Sequence, residues 1–319
     1  MKEVHKIIPI MIDAPANLKT VNFYIVKSEQ SLSLVDAGFN NEQSFNALEL
    51  TLRENGFSIG DLTEIILTHN HYDHVGLVNP ITSEHPIPVY AHKDAIPRLK
   101  RDRYFLEMRV DFYVKLYEEM GCGDAGDKQI AFLKKSIERN SSQALESEIT
   151  PIGDKHFHFD ILEVPGHAPD QVALYSPENK EMIAGDLIIE HISSNALVEP
   201  DFNGEKLPTL LQHKQSLEKV QKMDIERIYS GHGDIIQDPN SLIKKRIDGI
   251  ELKAEKIRKA IENGATTGDE IARKFYKKSY HSQFSLVMSE IIGHLDYLEK
   301  RERVFKEMKN GVWHYSKAE

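Results

Sequence analysis

The chain has 319 residues, with 40 Lys and Arg against 50 Asp and Glu, and a formal net charge of −10. Its 40% hydrophobic and 28% charged composition is ordinary for a globular protein, and no stretch approaches the roughly 20 apolar residues of a membrane span. The single cysteine, Cys122, excludes an intrachain disulfide.

The first 19 residues lack the uninterrupted apolar run and small-residue cleavage site of a leader, so a cytoplasmic location is expected. Residues 21–38, VNFYIVKSEQSLSLVDAG, read as a hairpin of two β-rich runs about a polar turn. NEQSFNALELTLRENG has helical spacing through Phe45, Leu48 and Leu52, with Gly56 as a stop. LTEIILTHNH is a short apolar strand, and IPVYAH is another. This alternation argues an α/β body.

Residues 94–146 depart from it. Two amphipathic helices are expected around a Gly-rich break, GCGDAG, with Cys122 in a loop. The insertion could be a lid, a packing element or a dimer element. Strands resume with KHFHFDILEVPGH, QVALYSP and KEMIAGDLII, then a helix at about 208–222, then IERIYSGHGD. In KHFHF a straight strand with Phe157 and Phe159 inward leaves His156 and His158 outward, with no metal role.

Beyond 240 one long helix ends at Gly264. A second opens with a capping box from Thr267 to Glu270, a third covers QFSLVMSEIIGHLDYLEKRE, and a hairpin turns at Asn310-Gly311. Three helices and a hairpin predict a winged helix-turn-helix over 241–319, after a catalytic domain over 1–240. Residues 241–319 carry 17 Lys and Arg against 12 Asp and Glu, a net of +5 on a body of net −15. A polyanionic partner is one reading, and a solvated helical surface is the plainer one.

The chemistry concentrates in THNHYDHVG. His69 and His71 are two apart at a strand end, so their rings can point the same way. Asp73 and His74 follow in a turn. Imidazole with carboxylate suits Zn²⁺, Fe²⁺ or Mn²⁺. One short loop cannot close two coordination spheres, so distant ligands are expected. His167 in EVPGHAPDQ, Asp186 in MIAGDLI and His232 in IYSGHGD each follow a strand beside glycine, which permits a sharp turn.

The series H-x-H-x-D-H, G-H, G-D, G-H, together with NFYIV and SLVDAG, resembles the metallo-β-lactamase superfamily over roughly residues 5–240. That resemblance implies an α/β fold, a four-layer αβ/βα sandwich with the site at one sheet edge. It implies one ion on His69, His71 and His167, a second on Asp73, His74 and His232, and Asp186 between them. The ions would be Zn²⁺, with Fe or Mn as alternatives. Asp36 matches a buried aspartate supporting the site, although a turn residue before Gly38 is an equal reading. Independently of the resemblance, His191, five residues after Asp186, falls on a loop expected to border the site, which makes it a candidate substrate contact. The implied mechanism is hydrolysis of an ester-like bond by a hydroxide shared between two ions, with Asp73 and Asp186 as its acidic groups. A small-molecule substrate is expected and no membrane. A single-stranded RNA substrate, handled as an endoribonuclease, is the alternative that the basic tail raises. A homodimer stays open.

Overall fold

The computed structural model of the protein describes residues 5–318; the leader reading above begins on 1–4, outside them. One sheet sets six strands side by side: β1 (Lys6–Asp13), β2 (Thr20–Lys27), β3 (Leu32–Val35), β4 (Glu64–Ile66), β5 (Val89–Ala91) and β6 (Ile149–Pro151). β1 to β3 are antiparallel and β3 to β6 parallel. The other sheet holds β7 (Lys155–His156), β8 (Phe159–Glu163), β9 (Val172–Ser176), β10 (Glu181–Gly185) and β11 (Arg227–Ser230). Only its β10–β11 pair is parallel.

β2 shows why the sheets stack. Its pleat sends Phe23 and Ile25 to one side and Tyr24 and Val26 to the other. Both sides are buried, so the strand reads as a continuous apolar run. Tyr24, Val35 and Ile66 meet Ile161, Leu174, Ile183 and Tyr229 between the sheets. On the outer face of the first sheet lie α1 (Glu42–Glu54), α2 (Tyr72–Val75), α3 (Val78–Thr82) and α4 (Ile96–Leu99), where Leu48, Leu52, Ile81 and Leu99 share a core with Leu34 and Ile65. The order of layers is helix, sheet, sheet, helix. α1 starts where the Asn41 side chain accepts the Ser44 amide, the usual N-cap device.

The insertion forms α5 (Arg103–Glu119) and α6 (Gly123–Arg139). The expected Gly-rich loop is almost absent, because Cys122 is the N-cap of α6 and Gly123 and Gly126 lie inside its first turn, leaving only Gly121, at φ 73°, between the helices. Gly126 sits where a Cβ would come within 3.0 Å of Tyr117 Cβ, so its lack of a side chain lets the two helices close. Cys122 is buried with its Sγ 4.0 Å from Met288 Sδ, and burial pushes its thiol pKa up.

Helix α7 (Thr209–Gln221) and the start of α8 (Pro239–Glu262) cover the second sheet through Leu217, Val220 and Ile243. α8 continues into α9 (Gly268–Phe275), α10 (Phe284–Lys300), β12 (Val304–Lys309) and β13 (Val312–Lys317). The Thr267–Glu270 capping box is present, and the last hairpin turns on Asn310 and Gly311 at φ 52° and 83°. Tyr113, Leu116 and Tyr117 of α5 share a core with Ile257, Phe284, Ile291 and Leu295. Trp313 reaches the same insertion, its Nε1 donating to Glu119 at 3.1 Å. The insertion is therefore a packing partner of the C-terminal helices.

Two further features depart from the sequence reading, one strand missed and one misread. β1 pairs along the whole of β2, a strand that the sequence pattern hides because Pro9 and alternating exposure mark it as an edge. KHFHF is not one strand but a tight turn, with His156 opposite Phe159 and Phe157 at φ 50°. The turn inverts the alternation, so Phe157 is 51% exposed while Phe159 is buried. His156 turns inward, its Nε2 2.7 Å from Glu64 Oε2, and His158 stacks on His5.

Candidate metal centre

The C-terminal ends of β3, β4, β8, β10 and β11 meet at one rim, and each delivers a polar side chain there. Cross-sheet bonds fix that rim: Val172 N donates to Thr68 O at 2.9 Å, and Asn22 N to Gly231 O at 2.8 Å. Gly231 has no room for a side chain, since a Cβ would lie 2.2 Å from Asp186 Oδ1. Gly185 adopts φ 49°, and a Cβ there would meet Thr68 Oγ1 at 2.6 Å.

Six of the seven sequence-named ligands form two trios: His69, His71 and His167 in one, Asp73, His74 and His232 in the other; within each trio one donor atom per residue lies within 4.8 Å of the others. His71 Nδ1 is 3.0 Å from both His69 Nε2 and His167 Nε2. Ligand atoms at the corners of a tetrahedron with bonds of about 2.1 Å are roughly 3.4 Å apart. Asp186 reaches both trios, with Oδ2 3.4 Å from His167 Nε2 and 3.1 Å from His232 Nε2, and Oδ1 3.4 Å from His74 Nε2. Asp73 Oδ2 is 3.6 Å from His232 Nε2.

The outward nitrogens explain why the inner ones converge. His74 Nδ1 is held by Asp36 Oδ2 at 2.8 Å, His69 Nδ1 by Thr68 Oγ1 at 3.0 Å, His167 Nδ1 by Asn195 O at 2.9 Å and His232 Nδ1 by Thr20 O at 2.8 Å. With the proton on Nδ1 in each of these four rings, Nε2 presents a lone pair inward. Asp36 also accepts the Thr68 amide and hydroxyl, both at 2.8 Å. It thereby orients His74 directly and His69 through Thr68. Asp36 sits at φ 59°, a left-handed conformation aspartate tolerates better than most residues.

A cation fits this centre. His74 Nε2 and Asp186 Oδ1 are buried without a hydrogen-bond partner, a costly arrangement for polar atoms unless an ion satisfies them. Burial, then neighbouring His74, holds His69 well below the usual histidine pKa, and burial with His167 does the same for His71. Burial would depress His74 too, but Asp186, Asp36 and Asp73 outweigh it and lift it to about 10. Burial would raise Asp186, yet His232 and His74 hold its carboxyl well below the usual range. The acidic groups call for positive charge, and His69 and His71, held below the usual histidine range, offer imidazole lone pairs to bind it.

His191 does not line the cleft above the cluster. Its Nε2 lies 2.7 Å from Asn17 O, and its ring packs where a Gly233 Cβ would come within 2.5 Å of Nδ1. It braces the loop that carries His232. Thr68, Thr20 and Asn195 escaped the sequence reading. Thr68 adjoins His69 and was open to inspection, but Thr20 and Asn195 act through backbone carbonyls, which leave no residue-type signal.

The model for the Metallo-beta-lactamase superfamily matches residues 16–232, a span containing every one of these side chains. The chain belongs to the metallo-beta-lactamase superfamily. Among similar members is a probable metallo-hydrolase, YqjP, of Bacillus subtilis (strain 168), 28% identical over 301 residues and 93% of each chain. A hydroxyacylglutathione hydrolase of Hahella chejuensis is 21% identical, over 73% of this chain and 74% of its own. A likeness of fold runs over nearly the whole chain: a metallo-beta-lactamase family protein of Thermus thermophilus, TTHA1429, superposes with TM-score 0.79 at 21% identity, covering 98% of both chains. The chain is a hydrolase of this superfamily.

Above the cluster lies a cleft of ≈ 660 Å³, with His71 and His167 in its floor and the insertion in its wall. No helix of the described residues is long and apolar enough to cross a membrane.

Proposed function

We propose that the protein hydrolyses an ester-like bond, a thioester, lactone or other small ester, with two divalent ions held by the seven side chains of the rim. His69, His71 and His167 would hold one ion, and Asp73, His74 and His232 the other, with Asp186 shared. Zinc suits this imidazole-rich set, and iron or manganese is compatible with it. Ions bound there would polarise the scissile carbonyl and lower the pKa of water to about 7.

The chain's own groups do the rest. Asp36 and Thr68 keep the inner nitrogens aimed at the centre. Asp73, whose Oδ2 lies 3.6 Å from His232 Nε2, would orient the attacking water. Leu106, Phe132 and Leu197 in the cleft wall limit bulk water around the substrate. The observation that carries the reading is Asp186, within 3.4 Å of histidines from both trios. The hydroxyacylglutathione hydrolase among the relatives, an acyl-bond hydrolase by name, leans the same way.

Single-stranded RNA is the second reading, with 241–319 as a winged helix that presents the strand. Lys274, Lys277 and Lys278 support it, because none has an ion-pair partner among the described residues. It ranks second because Lys253, Arg258, Arg273, Arg301, Arg303 and Lys306 are neutralised by carboxylates. The test is a panel of thioester, lactone and single-stranded RNA reporters with metal-loaded wild type and Asp186→Asn. Ester turnover lost in the variant supports the main reading. Turnover of RNA alone would replace it.

A further inference from the structure

Four arginines face the cleft and one carboxylate answers them. Glu199 is that carboxylate, buried and already saturated. It accepts from Arg98 at 3.3 Å, from Arg109 in a bidentate pair and from the Tyr113 hydroxyl at 3.1 Å. Nothing is left for Arg101 and Arg139. The Arg101 Nε is buried without a partner, and its Nη2 reaches only the Ser136 carbonyl, at a long 3.4 Å. Arg139 touches the Asn140 side chain at 3.2 Å and lies over the Phe132 ring. Neither has an acidic partner among the described residues.

A half-buried guanidinium with idle donors beside like charge is costly. Burial and neighbouring Arg109 push its pKa down. Arg101 also sits at φ 54°, a left-handed conformation that glycine would adopt without strain. An arginine kept there against both penalties points to use, and its planar fork matches carboxylate and phosphate oxygens. The same cleft has His71 and His167 in its floor, so a bound anion would hang a reactive bond over the metal centre.

We infer that the substrate is an anionic ester or thioester whose carboxylate or phosphate is received by Arg101, with Arg139 at the cleft mouth. The inference rests on the hydrolase reading and gives it a substrate class. Arg101 and Arg139 are specificity residues and take no part in bond breaking.

The test has a binding arm and a kinetic arm, on the metal-loaded full chain. Inorganic phosphate and succinate are titrated by calorimetry into wild type, Arg101→Gln and Arg139→Gln. Arg139 lies on an exposed helix face, so its variant reports even if Arg101→Gln folds poorly. Kinetics compare para-nitrophenyl hemisuccinate and acetyl-coenzyme A with neutral para-nitrophenyl butyrate. The expected result is binding of at least one anion, weakened about tenfold in Arg101→Gln and less in Arg139→Gln. The anionic-to-neutral ratio of kcat/KM should fall in parallel, and the responding anion tells carboxylate from phosphate. Equal anion affinity in all three proteins would overturn the inference, the anion then being held by metal alone. A single-stranded RNA oligonucleotide bound through these arginines while neither small anion binds would overturn it in favour of RNA. Arginine-dependent anion binding without hydrolysis of any ester or thioester reporter would support the anion site and sink the ester-hydrolysis reading.

Discussion

The rim of the sheets and the insertion beside it handle polar groups in opposite ways. At the rim the outward nitrogens of His69, His74, His167 and His232 are each engaged, so the inner ones are fixed before anything binds. In the wall, Arg98 and Arg109 are locked on Glu199 while Arg101 keeps an idle Nε. The rim gathers one kind of chemistry on the strand ends of both sheets. The wall is built from helices that also pack the C-terminal core, and it is free to choose what the chemistry acts on. Sheet ends make a precise floor, and an inserted helical pair makes a selective wall.

Substitutions at the rim should abolish turnover, and those in the wall should alter stability or selectivity. The largest effect is expected from Asp186→Asn, which removes the carboxylate common to both trios. A loss of several kcal/mol of charge stabilisation corresponds to a fall in kcat/KM of about a thousandfold, read against any reporter ester. A wall substitution with an equal loss of turnover and intact folding would erase the distinction. Glu199→Ala comes next. It leaves the buried Arg98 and half-buried Arg109 charges without a counterion, which costs about 3 kcal/mol of stability, measured as a lower midpoint in urea. Asp36→Asn should keep the fold but weaken metal binding by about 10–100-fold, followed with a competing chelator.

The smallest expected effect lies away from both regions. Burial, then His158, lowers the His5 pKa to about 4. Its folded-state pKa is below the unfolded value, so the unfolded chain binds the extra proton first. The stabilisation is complete above about pH 6.5 and fades as pH falls toward 4. The Tm of the wild type should therefore drop more over that window than the Tm of His5→Phe, which keeps an aromatic ring against His158 and Phe159. Parallel declines would remove His5 as a contributor.

The rim was legible because its chemistry is carried by residue type. HNHYDH, GH, GD and GH name their side chains, and a glycine beside each distant ligand signals the turn that aims it. The α/β body was legible because both faces of β2 to β4 are buried. The wall was not. Glu199 is 101 residues from Arg98, and nothing in the neighbourhood of either, or of Arg101, sets them off from surface charge. KHFHF misled because strict alternation reads as one strand, whereas the turn at Phe157 needs a positive φ that a phenylalanine does not advertise. Thr20 and Asn195 contribute carbonyl oxygens, which every residue owns.

The most direct measurement is metal content. Wild type and Asp186→Asn, each reconstituted with Zn²⁺, Mn²⁺ or Fe²⁺ and desalted, are assayed by elemental analysis with circular dichroism to confirm the fold. Two ions per chain in the wild type and fewer in the folded variant are the expected result for a rim that holds two ions around Asp186. A folded wild type retaining no stoichiometric metal from any of the three would contradict it.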